Sequence, residues 1–450
     1  MKEKNNLNDS LRQLVERLVT FASAHGADEV EVKLSEGIEF NVDVRLQEIE
    51  NLLEARPKTI SFKIIKDKKT AWASSSDFKK DNLYSLIKNA IKRAELTQPD
   101  KFAGLPEYDS LNYPDPEKLE IYDPEIKELN SREKIQLALK TEKTALADTQ
   151  ITNSHGASFF SREEYNILGN SKGFLGSYRE SLFSLGIGLQ AGETNQRAED
   201  GWHSNSRFFR NLDSPEKVAQ KAVARTIRHL NPQKISTRIV PVILEPLMTS
   251  WLLGFLFHCL SGPVLYRQES FLVNRLEDQI GGNNITVIDH GLMPGKLGTR
   301  PFDEEGNPTR KTMVIDKGIL KNYLCDTYSA KKLGLNSTGN AARSGVASNN
   351  FYLEPGNQSP EEIISELEEG LLLTRVIGHG LNPVTGEISR GAFGLWIEKG
   401  KILHPVAEIT ISGNLEEILK KIIRVGSDLD FRRQICGPTI MVEEMILAGN

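Results

Sequence analysis

Gly37-Ile-Glu-Phe-Asn-Val-Asp-Val-Arg-Leu46 decides the fold class of this chain. Ile38, Phe40, Val42, Val44 and Leu46 alternate with polar or charged residues, a period of two that places all five on one side of an extended strand. The same alternation appears upstream in Val30, Val32 and Leu34, and downstream in Ile60, Phe62 and Ile64. These segments predict antiparallel strands with one face on a core and the other face wet. Residues 9–24 follow the helical period instead. Leu11, Leu14, Val15, Leu18 and Val19 form one stripe, Asp9 or Ser10 is the expected cap, and Gly26 the stop. A helix from about Asn82 to Leu96 closes this unit. Helices and antiparallel strands in one unit make the class α+β.

Working outward, residues 97–128 are rich in Pro, Asp and Tyr (Gln98-Pro-Asp100, Leu111-Asn-Tyr-Pro-Asp-Pro116) and read as a connecting segment. A helix over Arg132–Ala147 follows, then strands through Ile151–Phe160, Tyr165–Leu168 and Phe174–Leu189. Asn170-Ser-Lys-Gly173 supplies a hairpin turn, because Asn and Gly tolerate positive φ. Ser214-Pro215-Glu216 opens another helix, with Pro in its first turn. The continuous apolar run Ile239-Val-Pro-Val-Ile-Leu244 predicts a strand covered on both faces. Beyond it, strands, short helices and Gly-rich turns alternate. The expected division is an N-terminal α+β subdomain (1–100), a central α+β subdomain (101–232) and a Gly-rich mixed α+β C-terminal domain (233–450).

The 450 residues carry a formal charge of 56 − 61 = −5, so no global basic field draws the chain to nucleic acid. The dense basic stretch Lys66-Asp-Lys-Lys69 reads as a solvated hairpin tip. Cys259, Cys325 and Cys436 are sparse, odd in number and without CxxC spacing, which argues against a secreted disulfide framework. The polar start Met1-Lys-Glu-Lys-Asn-Asn lacks the apolar core of a signal peptide. The apolar run Trp251–Phe257 falls far short of the ~20 residues a membrane span needs. The expected location is cytoplasmic.

No HExxH, G-x-S-x-G or P-loop occurs. Gly186-Ile-Gly188 lies in a strand-like run with no helix after it, and strand packing accounts for it. His258, His290, His379 and His404 never take the i, i+3 or i, i+4 spacing that sets two metal ligands on one helical face. Gly378-His-Gly-Leu-Asn-Pro383, followed by Ser389-Arg-Gly-Ala-Phe-Gly394, is dense enough in glycine for close backbone approach to a neighbouring strand or to a peptide. Structural turns explain the same glycines equally simply.

Several blocks resemble the TldD/PmbA family, also known as modulators of DNA gyrase. They include Ser261-Gly-Pro-Val-Leu-Tyr-Arg267, Pro301-Phe-Asp303 with Glu305-Gly306, Tyr328-Ser-Ala-Lys-Lys-Leu-Gly-Leu335 and Ser389-Arg-Gly-Ala-Phe-Gly-Leu-Trp-Ile-Glu-Lys-Gly400. Pro405-Val-Ala-Glu-Ile-Thr-Ile-Ser-Gly-Asn-Leu415 and Cys436-Gly437 extend the likeness. It spans nearly the whole chain and is densest from about 240 onward.

The resemblance implies one of two branches. TldD-like members are zinc peptidases with HExxxH on a helix and a cysteine ligand near the C-terminus; TldE/PmbA-like members lack the motif and pair with them. In this chain the corresponding window is Leu253-Gly-Phe-Leu-Phe-His258, with Leu253 for the first histidine, Gly254 for the glutamate, and only His258 retained. Cys436 stands where the family places its cysteine. His258 and Cys436 are two vestigial candidates where a catalytic zinc takes three protein ligands plus water. Their plainer readings are a packed, hydrogen-bonded histidine and a small buried hydrophobe.

No metal is therefore expected in this chain, and zinc is expected in a TldD-like partner. The implied role is the non-catalytic subunit of a peptidase cutting unfolded or linear peptides, with the family implicated in peptide maturation and antitoxin degradation. Gly378, His379, Gly380, Ser389, Arg390 and Gly391 are the candidate peptide path. Expected partners are a TldD-like subunit and unfolded peptides, with a homodimer as one candidate state of the lone chain and neither direct nucleic-acid nor membrane binding. Two alternatives stay open: an independent metallohydrolase with unconventional ligands, and a non-enzymatic gyrase-modulating interaction protein.

Overall fold

The computed structural model describes residues 2–107, 113–193 and 197–449; Leu111 and Asn112 of the connecting segment, and Met1, lie outside the described residues. Helix α1 spans Lys2–Ala24, so Asp9 and Ser10 lie within it and do not cap it. The preceding Lys, Glu and Leu are good helix formers without an apolar stripe, and amphipathic periodicity therefore does not register them. Strands β1 (Glu29–Arg45), β2 (Glu48–Ala55), β3 (Lys58–Lys66) and β4 (Lys69–Ser75) follow, then α2 (Lys80–Leu96). Helix α3 (Ser131–Leu146) starts with a capping box between Asn130 and Glu133. Two long strands, β5 (Ile151–Asn170) and β6 (Leu175–Ala191), form a hairpin, followed by β7 (Ala198–Ser206) and α4 (Pro215–Ile227).

These strands form one antiparallel sheet in the order β4-β3-β1-β5-β6-β7, with β2 beside the far half of β1. Along β1 Val30, Val32, Leu34, Phe40, Val42 and Val44 are buried, but Ile38, on the same side between the two core clusters, is 38% exposed, and Leu46 lies beyond the strand at 58%. Val30, Val32 and Leu34 meet α1 and α2, and Phe40, Val42 and Val44 meet α3 and α4. Ile151–Phe160 and Tyr165–Leu168 are a single strand, because β1 and β6 flank Ser161–Glu164 on both sides and hold it extended.

The opposite face is not wet along its length. Glu31, Lys63 and Asn166 are buried there. Residues 297–307 of the C-terminal half come down on this face: Lys33 pairs with Glu304 at 2.9 Å, Lys63 with Glu305 at 3.5 Å, and Arg207 donates to the Leu297 carbonyl at 2.6 Å. Phe302 packs edge-on against Phe174 and Tyr178. The basic turn Lys66–Lys69 is tied down as well. Lys66 pairs with Glu95, and Lys69 Nζ donates to the Glu95 carbonyl at 2.9 Å.

The C-terminal half begins with β8 (Arg238–Leu244) and α5 (Pro246–Leu260). Strand β8 pairs in parallel with 369–377 and antiparallel with 440–448; the latter joins 401–414, which joins 387–398, which returns to 369–377. The pairings close a ring of five strands. Val240, Val242 and Leu244 face its core with α5, while Ile243 lies under a short helix, Pro360–Ser365. Ile239 is the exception to the expected two-sided cover, at 62% exposure beyond the reach of that helix. Among the described residues no helix is long and apolar enough to cross a membrane.

Candidate functional site

Helix α5 carries the window where the resemblance expects metal ligands, and its capping fixes how that window faces. Glu245 precedes it, Pro246 occupies the first turn, and the chain leaves at Ser261. Leu253 and His258 are five residues apart, roughly 140° around the helix and about 7.5 Å along it. Leu253 is buried against Gly437, where a Cβ would meet its Cδ1 at 3.1 Å and Thr249 Cγ2 at 2.2 Å. The Gly437 amide donates to Ser250 Oγ at 3.3 Å. A Cβ on Gly254 would find nothing within 4 Å. His258 is exposed, contrary to the expected packed side chain, because its direction from the helix axis leads away from the strand ring.

Cys436 is buried and lies on a short strand beside Phe351–Leu353, packed with Ile288 and Tyr352. Its Sγ–H donates to the Arg433 carbonyl at 3.1 Å. Burial pushes the thiol up to about 11, so it stays protonated at neutral pH and is not a ready metal ligand. Among the described residues no three His, Cys, Asp or Glu side chains cluster to hold a metal ion. The residues present do not fit a catalytic zinc.

Cys436 instead borders a cavity of about 170 Å³ between β7, α4, the first turn of α5 and the loop at 428–433. Its walls are densely charged. Arg225 pairs with Glu245 at 2.8 Å and Asp200 at 3.1 Å, and Arg228 pairs with Glu245 at 2.9 Å. Asp428 accepts from the Thr439 amide and hydroxyl at 2.8 and 2.7 Å, and Asp430 accepts from Arg432 Nε at 2.6 Å. The Trp202 ring has Lys221, Arg225 and Arg432 around it at 4.9, 5.5 and 4.6 Å from its centroid. Nearby His203 is pushed down to about 4, by burial first and then by Arg433, Arg432 and Arg225, and is neutral at physiological pH. Sequence reasoning missed this constellation. Its members come from four separate segments, and the only local signal is the Arg432-Arg433 pair just before Cys436.

The glycine-rich stretch is an exposed hairpin end remote in sequence from that wall. Gly378 and Gly380 have φ of +79° and +143°, and a Cβ on Gly380 would fall 1.9 Å from the Ser389 carbonyl oxygen. The Ser389 amide donates to the Gly380 carbonyl at 2.8 Å, and a Cβ on Gly391 would meet Ile377. These contacts bring one strand close to the next, as structural turns require. His379 is exposed, and Arg390 reaches α5, with its guanidinium 5.8 Å from the Trp251 ring centroid.

Comparison with known proteins places the whole chain among relatives of one kind. Residues 30–94, 124–230 and 237–449 match domain 1, the central domain and the C-terminal domain of the PmbA/TldA metallopeptidases. The chain is 35% identical over 442 residues to a Haemophilus influenzae protein named Metalloprotease PmbA homolog, covering 98% of this chain and 96% of that one. A Bacteroides thetaiotaomicron crystal structure, described as a candidate modulator of DNA gyrase, superposes with a TM-score of 0.91 at 27% identity, covering 98% and 99% of the two chains. TldE from Thermococcus kodakarensis superposes with a TM-score of 0.87 at 25% identity, covering 97% and 100%.

Proposed function

The chain belongs to the PmbA/TldD metallopeptidase family, and from that membership we propose that it is the TldE/PmbA-like, non-catalytic subunit of a cytosolic zinc peptidase that cleaves unfolded or linear peptides. The zinc is assigned to a TldD-like partner. One observation carries this reading: on α5 the first ligand position is Leu253, locked against Gly437, and the position for the general base is Gly254. A helix so equipped supplies neither an imidazole beside Cys436 nor a carboxylate to activate water. The subunit's part is then to shape a chamber that admits extended chain, with peptide held by main-chain pairing. The hairpin from Gly378 to Gly391 is the candidate path, and shortening it without loss of peptide cleavage by the pair would remove it from the scheme.

The decisive assay compares cleavage of an unfolded peptide by this chain, by the TldD-like protein of the same source, and by both co-expressed. Activity confined to the pair is the expected result. A partner fully active alone defeats the proposal. The name Metalloprotease carried by the Haemophilus influenzae relative favours a second reading, an independent hydrolase using His258, Cys436 and further ligands. Stoichiometric zinc in the purified chain, with cleavage abolished by His258→Ala, would establish that reading instead.

A further inference from the structure

The cavity beside Cys436 has a charge balance that a purely structural cluster lacks. Each acid on its wall is already engaged: Glu245 by Arg225 and Arg228, Asp428 by Thr439, Asp430 by Arg432. Two cations are held less closely. Lys221 reaches Asp213 only at 4.0 Å, where Lys217 already binds at 2.5 Å, and lies over the Trp202 ring, while the exposed Arg433 makes no ion pair among the described residues. The buried indole Nε1–H of Trp202, another wall residue, has no acceptor, and Glu245 Oε1, though ion-paired with Arg225, has no hydrogen-bond donor. Buried donors are nearly always satisfied, and with Arg433 and Lys221 loosely held on the same wall the cavity has donors to offer an acceptor of another molecule.

We propose that this cavity binds a small carboxylate, of the size of a free amino acid or of the C-terminal residue of a peptide. A volume of about 170 Å³ corresponds to roughly five or six waters, which suits one residue and excludes a nucleotide. The guanidinium of Arg433 presents the planar fork that carboxylates accept, and Lys221 adds a point charge. The first turn of the 15-residue helix α5, through Pro246, Leu247 and Ser250, lends the positive end of its dipole. Pro246, Leu247 and the Trp202 ring give an apolar wall for a short side chain. Two loosely held cations beside three fixed carboxylates favour a monoanion over phosphate, whose second charge those acids would repel. The site is a property of the isolated chain and does not depend on the partner-subunit reading.

Calorimetric titration of the full-length chain tests it with N-acetylalanine, N-acetyl-trialanine, the amide of each, and inorganic phosphate. Saturable binding of at least one free acid, with neither amide binding, is expected; binding of both acids means the cavity mouth admits a peptide chain, and binding of N-acetylalanine alone means a free amino acid is the ligand. Arg433→Gln and Lys221→Gln should each weaken binding by about tenfold or more while leaving the unfolding temperature unchanged, since neither side chain is in a close ion pair. Leu247→Trp, which fills the cavity from its apolar side, should abolish binding. Equal affinity for acid and amide overturns the proposal, as do tighter binding of phosphate, absence of binding by both acids, and insensitivity to all three variants.

Discussion

Two polar clusters are buried in this molecule, and their charges are balanced in opposite ways. Where residues 297–307 settle on the N-terminal sheet, buried carboxylates lie close enough together to be pushed towards their protonated forms. Burial raises Glu31 to about 8, with Glu305 and Asp303 adding to the rise and Lys63 opposing it, and Glu31 Oε2 has no hydrogen-bond partner. Asp303 is raised by burial and by Glu305, although three backbone amides donate to it at 2.9–3.0 Å. At the α5 cavity Glu245, Asp428 and Asp430 each have a cation or hydroxyl partner. Lys221, by contrast, is held only at 4.0 Å, Arg433 has no ion pair among the described residues and the Trp202 indole lacks an acceptor. A cluster that holds extra protons joins two halves of a chain without needing anything else. A cluster that holds extra donors beside an open volume has room for a ligand.

The largest effect expected from this contrast belongs to Arg225, whose guanidinium bridges Asp200 and Glu245 over Trp202. Arg225→Ala leaves the buried Glu245 and the half-buried Asp200 each short of a partner and should cost about 3–5 kcal/mol in denaturant unfolding. A loss under 1 kcal/mol would mean the wall is solvated and the contrast with the sheet junction false.

At the junction the effect depends on pH. The folded-state value of Glu31, about 8, lies above its ordinary 4.5, so the folded chain binds the proton more tightly. Below about 4.5 both states are protonated and nothing is lost; between 4.5 and 8 stability falls, and above 8 the whole cost of burying the charge is present. Glu31→Gln should therefore be more stable than the parent at pH 9 by roughly 1–3 kcal/mol, with the gain vanishing near pH 5. Parallel stability–pH curves for the two proteins would refute the assignment of a buried proton to Glu31.

Gly254→Ala sharpens the account of α5 itself. With open space around the position, the substitution should stabilise by roughly 0.5–1 kcal/mol through helix propensity alone, read as a higher unfolding temperature. Destabilisation would show that something presses on Gly254. The smallest change is expected for Arg433→Gln, within about 0.5 kcal/mol of the parent, because the side chain has no ion pair to lose. A substantial loss there would make Arg433 a structural member of the wall and end the comparison.

Periodicity alone determined much of this protein. Val30 to Val44 announced a strand whose apolar even residues are buried except Ile38, Asn170–Gly173 announced the hairpin turn, and Ser214-Pro215 announced the start of α4. The blocks from Ser261 onward carried the family, and Leu253 with Gly254 marked the departure from a metal-binding helix. These are local facts, encoded in neighbours along one strand or one turn. Tertiary structure decided the rest. Glu31 and Lys63 alternate as wet residues should, yet they are buried because residues some 240 positions away descend on them. Cys436 and His258 look like partners on paper, but packing leaves His258 exposed while Leu253 and Cys436 are buried. The cavity needed a strand, two helices and a loop to converge. Alternation and helical period report which side of an element is apolar; they carry no information about what arrives on the other side, and burial of charge is set by that arrival.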